Sequence, residues 1–160
     1  MLRPITGFHL DEESHWVADL DCGHSQHMRH DPPFFSRPWV LSEPERRKMQ
    51  GTAINCVRCD RREFPEGFRA YRQTPVYDAH TMPPGLRNKH STKRGVWAKI
   101  HVLQGQLRYE MADPFHQDHI LTPETPGIIV AEVEHAVQPL ADATFFVEFW
   151  KRIDSGPSNS

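Results

Sequence analysis

The sequence predicts a mainly β protein of two modules, a small zinc-ribbon-like module followed by a sandwich or small barrel of strands. The chain of 160 residues contains 14 prolines and 9 glycines, which interrupt long helices and favour short strands joined by turns. Several short segments alternate apolar and polar residues, the pattern of a half-buried strand. All three cysteines lie between residues 22 and 59, which marks the first third of the chain as a separate unit.

The composition is that of an ordinary soluble globule. Hydrophobic residues make up 38% and charged residues 25%, and the formal net charge is −2, so no surface for nucleic acid or lipid is indicated. No apolar run approaches the roughly 18 residues that span a bilayer, and the first residues lack the apolar core of a signal peptide. Three cysteines fit thiolates kept for a metal in a reducing compartment. We therefore expect a cytoplasmic protein without membrane contact.

Two strands are predicted around the first cysteine. Apolar residues at every second position from Trp16 to Cys22 indicate a strand, and Gly23 permits the tight turn that follows it. Residues 26–30 would return as a second strand. This strand ends at the prolines of segment 31–33, because a proline lacks the amide hydrogen that pairing requires.

A short helix is predicted between the two cysteine turns. Ser42 is a suitable N-cap, and Glu45 occupies the position from which a glutamate completes a capping box. Gly51 is expected to end the helix. The second cysteine turn follows, and then a linker at residues 63–68, so that the first module spans residues 1–62.

The first module carries the strongest chemical signal of the sequence. Cys22 and His24 form one chelating turn, and Cys56 and Cys59 form another. Two such turns separated by a loop are the usual ligand layout of a tetrahedral, structural Zn²⁺ site. Because the segment is short and polar, a bound ion would supply stability that its own apolar core lacks. His27 is an alternative to His24, since a strand can present either imidazole to the metal.

Two other interpretations of the cysteines stay open. They could be small buried apolar residues, or Cys56 and Cys59 could form a redox pair. A redox Cys-x-x-Cys normally begins a helix in a thioredoxin-like pattern. Here it follows a helix ended by glycine and leads into a charged linker, so zinc is the preferred interpretation.

Five strands are predicted in the second module, which spans residues 69–153. Each is a β-rich or alternating run bounded by glycine, proline or polar residues. The five segments are 96–103, 106–111, 128–131, 136–137 and 143–150. The polar segment 116–119 is interpreted as the tip of a hairpin, and the terminal segment 154–160 as a disordered tail.

Three polar residues of this module form a second candidate metal site. His90 precedes the first long strand, His135 lies between two strand-like segments, and Glu148 interrupts the most apolar strand. An unpartnered buried carboxylate costs several kcal/mol, and two imidazoles with one carboxylate can hold Fe(II), Mn(II) or Zn(II). In the alternative interpretation, Glu148 lies with Phe146 and Trp150 on the outer face of its strand.

Residues 1–60 resemble a small bacterial domain family of unknown function. The family's signature joins a Gly-Phe-His motif, a long segment around Asp-Cys-Gly-His, an Arg-Pro-Trp-Val motif and a Cys-x-x-Cys-Asp motif. These pieces stand in this sequence at residues 7–9, 16–33, 37–40 and 56–60. The resemblance implies a domain boundary near residue 60 and no particular activity.

Residues 68–152 resemble the TehB/YeaR-like cupin family, named after a domain at the start of some tellurite-resistance methyltransferases. The matching segments are residues 70–75, 83–86, 89–93, 95–100, 102–109 and 134–135. The resemblance implies a cupin jelly-roll barrel that encloses a metal or a small ligand. The general cupin pattern has a further glutamate before Gly105, and Ala98 stands about where it would fall. His90 and His135 are the histidines of the pattern that remain.

These observations lead to three functional hypotheses. The first is a cytoplasmic metal-binding accessory protein, with structural zinc and a cupin pocket for a small molecule or oxyanion, linked to tellurite or other chemical stress. The second is a metal-dependent enzyme that uses His90, His135 and Glu148. The third is an interaction module whose basic residues bind nucleic acid or protein, although the interspersed acidic residues favour an ordinary solvated face. A homodimer is compatible with all three.

Overall fold

The computed structural model describes residues 1–28 and 37–153, and the chain divides into two compact units, Met1–Pro65 and Glu66–Ser160. Both units are built mainly from antiparallel β-sheet, as the sequence predicts. The predicted strand end at residues 31–33 and the predicted tail at residues 154–160 lie outside the described residues. Within the described ranges, no helix is long and apolar enough to cross a membrane.

The first unit contains a four-stranded antiparallel sheet and two short helices. Its elements are β1 (Leu2–Leu10), β2 (Trp16–Leu20), β3 (Ser25–His27), α1 (Glu43–Met49), β4 (Ala53–Asn55) and α2 (Val57–Asp60), with a 3₁₀ turn at Pro38–Leu41. The strand order is β3-β2-β1-β4. Because β1 is antiparallel to both of its neighbours, β2 and β4 run in the same direction and end at the same edge of the sheet.

Strand β2 confirms one predicted strand, whereas β1 was not predicted. β1 contains Pro4 and Gly7, which are poor strand formers. Its position between two neighbours compensates for this weakness. Ile5 lies opposite Leu20 of β2, and Pro4 lies opposite Ala53 of β4, so the strand is paired on both sides.

Helix α1 begins directly after Ser42, as predicted, and ends two residues before Gly51. The predicted capping box is wrong, because the Ser42 side chain makes no capping hydrogen bond. Glu45 instead accepts a hydrogen bond from Lys48 Nζ at 2.7 Å, within the helix and at an exposed position. The start of this helix therefore does not use the Ser42 hydroxyl as a cap.

The second unit consists of two antiparallel sheets. Its strands are β5 (Phe68–Gln73), β6 (Trp97–Gln104), β7 (Leu107–Met111), β8 (Gln117–Leu121), β9 (Gly127–Ile129), β10 (His135–Pro139) and β11 (Thr144–Arg152), with a 3₁₀ turn at Pro84–Arg87. One sheet has the order β5-β11-β6-β9 and the other the order β10-β7-β8. Strands that are distant in sequence are thus neighbours in both sheets.

The core of the second unit combines side chains from the two sheets. Ile100 of β6 and Phe145 of β11 come from the four-stranded sheet, Leu107 and Tyr109 of β7 come from the three-stranded sheet, and all four are at most 2% exposed. The Tyr109 hydroxyl donates a hydrogen bond of 2.9 Å to the carbonyl oxygen of Ile128 in β9. The two sheets therefore share one apolar interior, with a polar link between them.

The five predicted strands appear as β6, β7, β9, β10 and β11, with ends shifted by a few residues. The prediction of a hairpin tip at residues 116–119 is wrong, because β8 begins at Gln117. This strand lies at the edge of its sheet and buries only Leu121, so it lacks the apolar alternation of a half-buried strand. The Arg108 guanidinium of β7 forms an ion pair with the Asp118 carboxylate of β8, with a nitrogen–oxygen distance of 2.7 Å.

Strand β5 is also an edge strand, and only Phe68 of it is buried, so it lacks apolar alternation and was not predicted.

The turn between β6 and β7 gives a testable prediction about Gly105. This residue has a φ of +71°, and a Cβ atom there would lie 2.9 Å from the Ala141 carbonyl oxygen and from the Ala143 Cα. Gly105→Ala should lower the free energy of unfolding by about 1–3 kcal/mol, since both the backbone conformation and the space disfavour a side chain. Urea denaturation measures this change. Gly85→Ala is the matched control, because nothing lies within 4 Å of its Cβ position. Equal losses in the two variants would contradict the prediction.

Candidate metal centre

The two cysteine turns meet at one edge of the first sheet. The turn that follows β2 carries Cys22 and His24, while Cys56 follows β4 directly and Cys59 lies in α2. Since β2 and β4 end at the same edge, the topology brings these two segments together from distant parts of the chain.

Backbone hydrogen bonds fix both turns against β1. The Cys56 amide donates to the Met1 carbonyl oxygen at 2.8 Å, and the Asp21 amide donates to the Pro4 carbonyl oxygen at 3.0 Å. Gly23 adopts a φ of +94°, a conformation that glycine tolerates at little cost, and this closes the first turn. The positions of the ligand residues are therefore set by the strand that both turns share.

Four ligand atoms converge at this edge. The Nδ1 atom of His24 lies 3.5 Å from the Sγ of Cys22, 3.4 Å from that of Cys56 and 3.6 Å from that of Cys59. The sulfurs of Cys22 and Cys56 are 3.9 Å apart, and all four ligand atoms lie within 4.8 Å of one another. In a tetrahedron with Zn–S bonds of about 2.3 Å and Zn–N bonds of about 2.0 Å, sulfur lies roughly 3.6 Å from nitrogen and roughly 3.8 Å from sulfur. The observed spacing fits these values.

The four residues are enclosed by the protein. Cys22 and Cys59 have no exposed surface, and His24 and Cys56 are 2% and 3% exposed. All three cysteines are free thiols, so no disulfide competes for the sulfurs. Three sulfurs and one imidazole fill the four positions of tetrahedral zinc, which is the arrangement of a closed structural site.

A backbone carbonyl orients the His24 imidazole. Its Nε2 atom lies 2.8 Å from the Glu63 carbonyl oxygen, and therefore acts as the hydrogen-bond donor. The proton on Nε2 leaves a lone pair on Nδ1, the atom that faces the three sulfurs. Metal-binding histidines commonly use their second nitrogen in this way, which fixes both the tautomer and the ring orientation.

The packed thiols interact strongly with one another. Hydrogen bonds from the thiols of Cys22 and Cys59 hold the pKa of Cys56 far below its usual value. Sharing of its proton with Cys56 and Cys59, together with burial, raises the pKa of Cys22 far above its usual value. Full ionisation of three sulfurs requires a cation among them.

The structure distinguishes the two histidines that the sequence left open. His24 lies among the sulfurs, whereas His27 lies on the exposed face of β3, with its Nε2 atom 2.8 Å from Asp11 Oδ2.

The Cys-x-x-Cys segment also differs from the expectation that it leads straight into a linker. Cys56 immediately precedes the short helix α2, whose first turn carries Cys59 toward the cluster.

The two histidines of the second candidate site are neighbours. His90 and His135 exchange backbone hydrogen bonds of 2.9 and 2.8 Å, and their ring centroids are 4.2 Å apart. Each Nδ1 atom lies 2.9 Å from a backbone carbonyl oxygen, that of Asn88 for His90 and that of Val133 for His135. In a neutral imidazole, a proton on Nδ1 leaves the lone pair on Nε2.

Glu148 does not join these histidines. One of its carboxylate oxygens accepts a hydrogen bond from Trp150 Nε1 at 2.8 Å and lies 3.3 Å from His101 Nε2. The alternation of β11 explains this placement, since Phe145 and Val147 are buried in the core and Glu148 occupies the opposite face. The predicted three-ligand site is not assembled. Among residues 1–28 and 37–153, the cysteine cluster is the group that brings three or more ligand atoms together.

Each unit matches the model of a protein family. Residues 6–63 match the family described as "Protein of unknown function (DUF3565)", and residues 72–147 match the TehB-like domain. The chain thus joins a segment that matches DUF3565 to a segment that matches the TehB-like domain.

Two curated relatives match the second region. Both are described as probable S-adenosyl-L-methionine-dependent methyltransferase TehB, from two strains of Haemophilus influenzae, and they are 36% and 34% identical to this chain over 76 residues. The match covers 45% of this chain and 27% of each relative. The chain therefore spans about a quarter of the length of the curated relatives it matches.

Two solved structures resemble this chain. The crystal structure of TehB from Haemophilus influenzae gives a TM-score of 0.50 at 28% identity, covering 54% of this chain and 32% of that chain. A protein from Escherichia coli strain K12 gives a TM-score of 0.53 at 22% identity, covering 57% of this chain and 98% of that chain. The second likeness concerns the fold alone.

The buried His135 gives a prediction about pH. Burial, with a smaller effect of the neighbouring His90, lowers the pKa of His135 to about 4, whereas an unfolded histidine titrates near 6.5. Between these values the unfolded chain binds a proton that the folded chain does not. The free energy of unfolding should therefore fall as the pH drops from about 6.5 towards 4, by up to about 1.4 kcal/mol per pH unit. Urea unfolding at several pH values measures this. His135→Asn should flatten the dependence, and an unchanged slope in that variant would contradict the assignment.

Proposed function

We propose that this chain is a metal-binding accessory protein whose first unit is held together by one structural zinc ion. The ligands are Cys22, His24, Cys56 and Cys59. The observation that carries the proposal is the spacing of their four ligand atoms, which fits a zinc tetrahedron before any ion is added. The cluster also offers the chemically appropriate set of three thiols and one oriented imidazole.

The role of the ion is structural for two reasons. Four protein ligands leave no coordination position for water or substrate, which a catalytic zinc requires. The ion also links residues 22–24 with residues 56–59, and so closes more than half of the first unit into one loop. Zinc binding supplies roughly 10–16 kcal/mol of apparent free energy in comparable small domains, a large contribution for a unit whose strands are mostly three to five residues long.

For the second unit we propose a cupin-type jelly roll that binds a small molecule or an oxyanion. Support comes from the two antiparallel sheets with a shared core, from the TehB-like match and from the paired imidazoles of His90 and His135. A link to tellurite or other chemical stress follows from the same resemblance. The proposal assigns no methyl transfer to this chain, because the matched segment accounts for about a quarter of each methyltransferase. It also includes no second metal, since Glu148 lies apart from the histidines.

The zinc proposal is tested by elemental analysis of protein purified without added metal and then desalted. The wild-type chain should retain about one zinc per molecule. His24→Ala should weaken zinc binding by more than the roughly 10–100-fold typical of a lost outer contact, because a direct ligand is removed. Competition with a chromogenic chelator measures the affinity.

His27→Ala is the matched control. It removes a histidine only three residues further along, in β3, whose side chain lies away from the cluster. It should keep its zinc. Protein that is metal-free as purified, or zinc that survives in His24→Ala and is lost in His27→Ala, would overturn the assignment. Cobalt(II) substitution gives an independent readout, because thiolate ligands produce an intense sulfur-to-cobalt charge-transfer band that identifies sulfur as the ligand atom.

A further inference from the structure

His135 is a buried polar side chain on the inner face of the three-stranded sheet of the second unit. It stands first in β10 and is 2% exposed. Val137, two residues further on, belongs to the apolar core, so the alternation of the strand directs His135 inward as well. Met111 lies opposite it in β7, and the Tyr109 ring meets it edge to face, with centroids 5.9 Å apart. The imidazole thus lies among apolar and aromatic side chains.

One nitrogen of this imidazole is used and the other is available. Nδ1 lies 2.9 Å from the Val133 carbonyl oxygen and donates the ring proton to it. Because burial lowers the pKa of His135 to about 4, the ring is neutral near pH 7 and Nε2 keeps its lone pair. None of residues 1–28 and 37–153 donates a hydrogen bond to Nε2, and this atom is not sealed off from solvent. A buried acceptor left without a donor is costly, so the donor comes from a molecule outside the chain.

His90 forms the solvent side of the same place. It exchanges backbone hydrogen bonds of 2.9 and 2.8 Å with His135, and the two ring centroids are 4.2 Å apart. Its own Nδ1 atom also faces a backbone carbonyl oxygen, that of Asn88, at 2.9 Å. His90 is half-buried, whereas His135 is enclosed. The pair therefore leads from the surface to the available nitrogen of His135.

We propose that this pair receives a small uncharged ligand that donates a hydroxyl or N–H hydrogen to Nε2 of His135. The proposal rests on the small-molecule function proposed above and specifies the chemistry of the ligand. A neutral imidazole bonded through Nδ1 offers a lone pair and no proton at Nε2, so an anion without a proton of its own finds no donor there. An uncharged ligand also avoids the cost of burying a charge.

The surroundings of the nitrogen specify the rest of the ligand. Small-molecule sites are lined mainly by apolar and aromatic side chains, with a few polar groups that fix the orientation of the ligand. Met111 and Tyr109, which are 1% and 2% exposed, are such lining residues, and His135 is the orienting group. We therefore expect a ligand with an apolar body and one donor group.

Phenol and toluene test this, because they have nearly the same size and differ in that only phenol has a donor hydrogen. The full zinc-loaded chain is titrated with each probe near pH 7 and followed by NMR. The wild-type protein should bind phenol more tightly than toluene by roughly tenfold or more, since the hydrogen bond forms with phenol alone. Phenol should also shift the nitrogen resonance of His135 Nε2.

Two variants locate the donor contact. His135→Asn keeps an N–H group for the Val133 carbonyl oxygen but removes the acceptor, so it should lose the preference for phenol. His101→Asn is the matched control in the same unit and should keep the preference. His101 stacks on Phe146, with ring centroids 4.8 Å apart, and lies on the face of β6 opposite the buried Ile100.

Equal affinity of the wild-type chain for phenol and toluene, or a preference that persists in His135→Asn, would overturn the proposal. Binding of inorganic phosphate at His135 in place of phenol would overturn it too, but would leave the small-molecule function of the unit in place. Binding of none of the three probes would count against both. If His135→Asn disturbs β10, the comparison of phenol with toluene on the wild-type chain decides alone. Retention of zinc in the same samples shows that the first unit is intact.

Discussion

The structure of the first unit depends on the convergence of three sulfurs and one imidazole in a space closed to water. In the structure, the three sulfurs and the imidazole nitrogen are within hydrogen-bond distance of one another. A divalent ion at the centre replaces these hydrogen bonds by four directed bonds and allows all three sulfurs to ionise. The three sulfur–nitrogen distances and the distance between the Cys22 and Cys56 sulfurs are already close to those of a zinc tetrahedron.

Strand β1 is what makes that convergence geometrically simple. It pairs with β2 on one side and β4 on the other, so these two strands end at the same edge of the sheet. The chain segments that follow them carry the ligands, and the Met1 and Pro4 carbonyl oxygens of the β1 region hold both segments by hydrogen bonds. A further contact from His24 to the Glu63 carbonyl oxygen ties the cluster to the chain beyond α2. The sheet and these hydrogen bonds thus hold the four residues of the cluster in place.

The sequence predicted the parts of this protein that have a local signature. The four residues that come together in the first unit stand in two short turns, and the main strands of the second unit alternate apolar and polar residues. The choice between His24 and His27 depended on the direction of each side chain, which spacing does not specify. Strands β1 and β8 were missed because their own residues, such as Pro4 and Gln117, are not typical of strands. Glu148 was assigned to a metal site by residue type, although the alternation around it already placed it on the outer face.

The central claim concerns the identity and number of the atoms around the buried ion, and zinc K-edge X-ray absorption measures these directly. The account predicts a first shell of three sulfurs at about 2.3 Å and one nitrogen at about 2.0 Å. A shell of nitrogen and oxygen atoms alone would contradict it. Zinc-free protein, with the thiols titratable in the folded state or two of them joined in a disulfide, would contradict it as well.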